Sequence, residues 1–129
     1  METYNFIPYT SVGPIKFGEP RNDVRIALGD YKEYKKNKFS ENTLDDFGSC
    51  QVFYNKQNQV EAIELYRNSE LIFKGVNLFS LNESQLVAIV NDPDAQKDEY
   101  SITFPSIGMS ITLIDKEPDS ILLYERGYM

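Results

Sequence analysis

Histidine and tryptophan are absent from this 129-residue chain, cysteine occurs once, and the seven glycines are dispersed singly. Without histidine, the side chain that most often shuttles protons near neutral pH is missing, so a serine or cysteine triad has no base. A lone cysteine, Cys50, can form no internal disulfide and cannot build a zinc or iron site. It falls in a strand-like pattern and reads as a small packed hydrophobe. No Gly-Lys-Ser/Thr element or glycine-rich phosphate loop is present, which leaves nucleotide hydrolysis without support. The stretch 92–99 has the acids of a calcium loop but lacks its sixth-position glycine and places Thr103 where a bidentate glutamate belongs. No cofactor or metal is expected, and no catalysis. The longest apolar runs, such as Leu71-Ile72-Phe73, fall far short of the roughly 20 residues that span a bilayer. The opening Met1-Glu2-Thr3-Tyr4-Asn5 is not the basic start of an export signal. A cytoplasmic protein without a membrane partner is expected.

What is present is an ordinary globular composition, 41% hydrophobic and 26% charged, with nine tyrosines and eight phenylalanines. One domain over 1–129 with one core is expected at this length. The net charge of −7 repels phosphate backbones and attracts basic proteins. Nucleic acid is therefore a poor partner.

Two helices are signalled. Over 20–28, Pro20 suits the opening turn, Val24, Ala27 and Leu28 share a face, and Gly29 suits a left-handed stop. Over 83–90, Asn82 and Gln85 have capping-box spacing, Leu81 and Leu86 can form a staple, and Leu86, Ile89 and Val90 form the stripe. Strands are expected at 50–55 and 60–67 around the turn 56–59, then at 100–104 and 109–113 around 105–108. A last strand over 121–126 follows a turn at 115–120. Shorter strands are expected at 14–17 and 71–74, with 75–79 as a crossover.

Laid over each other at an offset of about 60 residues, the halves 12–67 and 76–126 agree in helix stripe, stop residue and following aspartate. The fold class expected is α+β: two α-β-β(-β) pseudo-repeats forming a mainly antiparallel sheet, with two helices on one face.

Charge is segregated within this plan. Between 91 and 119 lie seven acids, Asp92, Asp94, Asp98, Glu99, Asp115, Glu117 and Asp119, against Lys97 and Lys116, a net −5. In a meander the two acidic connections would lie at one end of the sheet. They read either as a solubilising rim or as a steering surface for a basic partner, with Tyr100 and Tyr124 as aromatic anchors. The run Tyr31-Lys32-Glu33-Tyr34-Lys35-Lys36-Asn37-Lys38 has the basic and aromatic mixture of single-strand nucleic-acid binders. In a chain of −7 it reads instead as a solvated loop that could touch an acidic spot on a partner.

The stretch Val12-Gly13-Pro14-Ile15-Lys16-Phe17-Gly18, continued through Asp23-Val24 to Leu28-Gly29, resembles the opening of many small uncharacterised bacterial proteins. Val60-Glu61-Ala62-Ile63-Glu64 and the ending near Gly127-Tyr128 are similar too. Proteins of this size and acidity are frequent among bacterial immunity proteins. That resemblance implies a non-catalytic module that neutralises a cognate toxin by direct binding, and the acidic connections point to a basic toxin domain. The helix with its glycine stop also looks like small outer-membrane assembly lipoproteins and the β-lactamase-inhibitor fold, which implies only a rigid binding scaffold. A regulatory or adaptor protein is the alternative, and an enzyme using carboxylates alone the third class.

Overall fold

The computed structural model describes residues 1–35 and 37–128. It is an α+β fold of two short helices and two sheets, mostly antiparallel. The chain opens with three strands, β1 (Glu2–Ile7), β2 (Ser11–Val12) and β3 (Ile15–Lys16), and enters helix α1 (Arg21–Leu28). Four strands follow: β4 (Lys32–Lys35), β5 (Thr43–Asp46), β6 (Cys50–Tyr54) and β7 (Val60–Tyr66). The chain then makes β8 (Ser69–Phe73), β9 (Val76–Asn77) and a 3-10 turn at Leu78–Ser80 before helix α2 (Glu83–Val90). Four more strands complete it: β10 (Gln96–Lys97), β11 (Ser101–Phe104), β12 (Met109–Ile114) and β13 (Glu117–Tyr124).

The larger sheet has the order β10-β11-β12-β13-β7-β6-β5-β4. Each helix is thus followed by a four-stranded meander, and the two meanders join through β13 and β7. Their register sets Leu65 opposite Ile121 and Ile63 opposite Leu123. All four are fully buried, so a one-residue slip would turn the whole apolar row outward. The smaller sheet has the order β3-β2-β1-β8-β9, and its β1–β8 pair is parallel. Tyr4, Phe6, Val12 and Ile15 from this sheet, Val24 from α1, and Leu86 and Val90 from α2 belong to the same buried cluster as the central strands. Both helices contribute short apolar stripes to that cluster.

The helix signals translate directly in α2, whereas in α1 Gly29 closes the helix at φ 86° and ψ −131°, outside the left-handed helical region expected for it. In α2, Asn82 accepts a bond from the Gln85 amide while the Gln85 side chain accepts from the Asn82 amide, a capping box worth about 1 kcal/mol. Asn91 closes the helix in the left-handed region.

Three further local expectations change. The final turn is not 115–120 but the two residues Asp115 and Lys116, at φ 53° and 66°, so Glu117 and Asp119 lie on β13. Two positive φ angles suit the right-handed twist of a tight hairpin. A register shift at Thr112/Leu113 then accommodates Pro118 opposite Leu113. The expected loop at 31–38 contains a strand, Lys32–Lys35, every residue of which is exposed, so no burial alternation could announce it. Lys36 of that run lies outside the described residues. The crossover 75–79 contains β9 and the start of the 3-10 turn.

Gly108, at φ +68°, sits where β11 turns into β12, and its carbonyl accepts from the Tyr124 amide at 3.1 Å. A Cβ there would stand 2.8 Å from the Tyr124 carbonyl oxygen and 2.7 Å from the Tyr9 ring, whereas at Gly48, φ +87°, it would meet nothing within 4 Å. Gly48→Ala is expected to cost about 1 kcal/mol through backbone strain alone. Gly108→Ala is expected to cost roughly 2 to 4 kcal/mol, since a main-chain oxygen cannot swing aside. Urea denaturation of the two variants measures the difference, and equal costs would contradict the clash.

Candidate interaction site

The acids of the second half separate into two groups. Asp92 leaves α2 and accepts from the Ser106 amide at 2.9 Å, the Ser106 hydroxyl at 2.6 Å and the Asp94 amide at 2.8 Å. It fastens the exit of α2 to the β11–β12 turn. Burial works to raise its pKa, but the Ser106 bonds outweigh that and leave it lowered. Asp92 therefore lies at the end of β11 opposite to its entry, with Asp94 two residues on. Four strand residues at about 3.3 Å each separate the ends of β11.

At the entry end, Asp98 accepts from the Tyr100 amide at 2.9 Å, the Ser101 amide at 2.8 Å and the Ser101 hydroxyl at 3.0 Å. The Tyr100 amide leads the bonds that lower its pKa. Beside this turn, Glu99, Tyr100, Leu113, Ile114, Asp115, Lys116 and Glu83 line a hollow of about 340 Å³. It is held together by the Leu113 amide bonded to the Tyr100 carbonyl at 2.7 Å and the Glu83 amide bonded to the Lys116 carbonyl at 2.9 Å. Tyr100 is 67% exposed and Ile114 57%. Glu117 begins β13 close by and pairs with Arg67 at 3.1 Å, and Lys97 pairs with Glu83. Asp119 is half-buried on β13.

Tyr124 is placed differently from Tyr100. Only 4% exposed, it stacks on Tyr128 with centroids 5.6 Å apart and meets Tyr9 edge-on at 6.3 Å. Its ring belongs to an internal aromatic cluster, over which Arg126 lies against Tyr9 and the Tyr9 hydroxyl donates to the Pro105 carbonyl. Of the nine residues singled out from the sequence, the structure gathers Asp98, Glu99, Tyr100, Asp115 and Glu117 at one end of the sheet.

The densest cluster of ionisable groups went unread in the sequence. Asp45, fully buried on β5, accepts from Arg21 Nε at 3.3 Å and Nη2 at 2.9 Å, and from Arg25 Nε and Nη2, both at 2.8 Å. The Tyr54 hydroxyl donates a fifth bond at 2.9 Å. Arg21 and Arg25 are one turn apart on α1, so both guanidinium groups leave the same helix face. The Arg21 guanidinium also lies 4.3 Å from the Tyr54 ring centroid, and that of Arg25 lies 4.0 Å from that of Tyr31. Asn42, Asn58 and Thr43 accept further Arg21 bonds, and Glu33 accepts from Arg25 at 3.0 Å. With these donors committed to protein acceptors, the cluster works as a clamp holding α1 on β5. The one sequence cue was the pair of arginines four residues apart on a helix whose other face is apolar.

Burial alone would raise the Asp45 pKa, but bonds from Arg25, Arg21 and Tyr54 outweigh it and take it from 3.8 to about 2. The asparagine-rich turn beside the clamp borders a second, larger groove of about 470 Å³, where Glu41, Leu44, Phe53, Glu61 and Tyr128 meet. Burial, then Glu125 and Glu41, raises the Glu61 pKa, while Glu41 is exposed and pairs with Lys56 at 3.5 Å. Burial pushes the Cys50 thiol up to about 11, so it stays protonated near neutral pH. Among the described residues no three Cys, Asp or Glu side chains converge to hold a metal ion, and no helix is long and apolar enough to cross a membrane. Comparison with protein-family models, with curated proteins and with solved structures found no match to this chain.

Because the folded pKa of Asp45 is below its ordinary value, its stabilisation is complete above about pH 4 and is lost as pH falls toward 2. The shift corresponds to about 2 kcal/mol. Asp45→Asn should cost roughly 3 to 5 kcal/mol at pH 7, since two guanidinium groups lose their counter-charge. It should also flatten the fall in stability between pH 4 and 2. Urea midpoints measured across that range test both, and an unchanged acid slope in the variant would exclude Asp45 as the titrating group.

Proposed function

We propose that this chain is a non-catalytic protein-binding module of the bacterial toxin-immunity type, which acts in the cytoplasm by binding a basic toxin domain directly. The observation that carries the reading is the Tyr100 ring, 67% exposed beside the exposed Ile114 and flanked by Glu99 and Asp115. A large ring held by a fixed turn loses little entropy on binding, and tyrosine is among the residues that most often dominate interface energy. Carboxylates around it steer a cationic partner and pair with its lysines or arginines at the rim. Asp98 supports this surface as the builder of the turn, and Glu117 extends its negative edge while paired with Arg67. A regulatory or adaptor role would use the same surface toward a host protein, and the identity of the captured partner separates the two.

The variants that test the site leave the turns intact. Asp115 is best replaced by asparagine, which tolerates its positive φ, and Asp98 is left alone. With the partner captured from the native host, Glu99→Lys with Asp115→Asn should slow association on the order of tenfold at low salt and weaken its salt dependence. Tyr100→Ala should mainly accelerate dissociation. Unchanged kinetics in all variants would remove this end of the sheet from the interface.

The raised carboxyl of Glu61 in the larger groove favours a second reading, acid catalysis by carboxylates alone. Hydrolysis of chromogenic glycosides, abolished by Glu61→Gln without loss of folding, would establish it in place of the binding role.

A further inference from the structure

The eight-stranded sheet has two open edges of unlike character. At one edge β10 has only two residues, and its neighbours Asp92 and Asp98 are tied into turns. At the other, β4 has four residues, all exposed, with β5 as its single strand neighbour among the described residues. The outward N–H and C=O groups of such a strand form a template for one more strand.

Side chains on this edge add chemistry to the template. Lys32 and Lys35 lie on it and Lys38 just beyond, in a chain whose total charge is −7. The one acid of the strand, Glu33, is already engaged by Arg25 and by the Thr43 hydroxyl, at 3.0 and 2.8 Å. The charge left free on β4 is therefore positive. Tyr31, Tyr34 and Phe47, together with Asp30, Lys32 and Asp46, border a hollow of about 360 Å³, and Asp46 already accepts from the Gly48 amide and the Gln51 side chain. Tyr31 and Tyr34 are 43% and 47% exposed, and Phe39, in the loop that follows, is 82% exposed.

We propose that β4 accepts an extended acidic segment of another protein as a ninth strand, with carboxylates on both of its faces, one toward Lys32 and one toward Lys35, and an apolar side chain at the Tyr31, Tyr34 and Phe47 hollow. Main-chain bonds supply affinity in this mode, and alternate side chains supply specificity. Charge selects the occupant. Lysines on an edge strand deter pairing with a like edge, and a second copy of this chain would bring −7 of its own and a matching edge only two residues long. Those same lysines attract an acidic strand. This surface lies at the opposite edge of the sheet from Tyr100, so its test is independent of the function proposed above.

The test titrates the protein with a labelled eight-residue peptide in which pairs of glutamates alternate with pairs of valines, so that carboxylates stand on both strand faces, followed by fluorescence anisotropy. A lysine-for-glutamate peptide and a peptide N-methylated at alternate residues serve as controls. The acidic peptide should bind, and each control should weaken binding on the order of tenfold or more. Lys32→Glu with Lys35→Glu, and separately Tyr34→Ala, should weaken it comparably, with thermal midpoints unchanged because all three residues are exposed. Failure of the acidic peptide to bind, or binding that survives N-methylation or the lysine reversal, would overturn the proposal. So would self-association of the free protein in sedimentation, or tighter binding of a single-stranded oligonucleotide lost in the same variants. Those results would assign the edge to a second copy or to nucleic acid.

Discussion

A carboxylate with no exposed surface costs several kcal/mol unless its charge is matched and its lone pairs are filled, and Asp45 meets both conditions with five hydrogen bonds. Four come from two arginines on one face of α1 and the fifth from Tyr54 on β6. The helix, the outer strands of the first meander and the sheet interior are thereby joined at one point. Val24 is the only apolar side chain that α1 buries fully, so the hydrophobic effect alone would seat this helix weakly. The ionic clamp sets its position. Through the Arg25 bond to Glu33 it also orders β4, which has no buried residue of its own.

The second half is held by other means. There α2 buries Leu86 and Val90 and is closed by its capping box and the left-handed Asn91. The connections after it are built by aspartates acting as local acceptors, Asp92 toward Ser106 and Asp98 toward Tyr100 and Ser101. Residues that looked like a reservoir of charge thus divide by task. Those that build turns have filled lone pairs and lowered pKa values, while Glu99 and Asp115 face solvent around the hollow. Negative charge and an exposed aromatic meet at one corner of the sheet. Lysines and exposed aromatics meet at its opposite edge, beside Asp30 and Asp46.

Legibility from the sequence followed burial. Strands with a buried row, such as Cys50–Tyr54, Val60–Tyr66 and Ser101–Phe104, announce themselves by alternation, and α2 announces itself by its cap. The all-exposed β4 does not, because an edge strand in water needs no apolar face. Thr43–Asp46 carries two adjacent aspartates and drew no strand signal, because the arginines that neutralise Asp45 come from another element. For the candidate site, Tyr100 and Tyr124 were indistinguishable as sequence letters. One projects from a turn, and the other is roofed by Tyr9 and Tyr128, which lie more than a hundred residues apart in the chain.

By itself the sequence determined what depends on neighbours a few residues away: the capped helix end, most hairpins, the buried rows, the acidity of the connections, and the lack of histidine. Local hydrogen bonding and side-chain periodicity act over those distances and leave their mark in residue order. Only the tertiary structure decided which acids meet, which tyrosine stays open, how two sheets divide the strands, and that Asp45 anchors a helix 20 residues earlier in the chain. Those outcomes depend on the low dielectric and fixed geometry that exist once the core has closed, where a charge must find its partner in space.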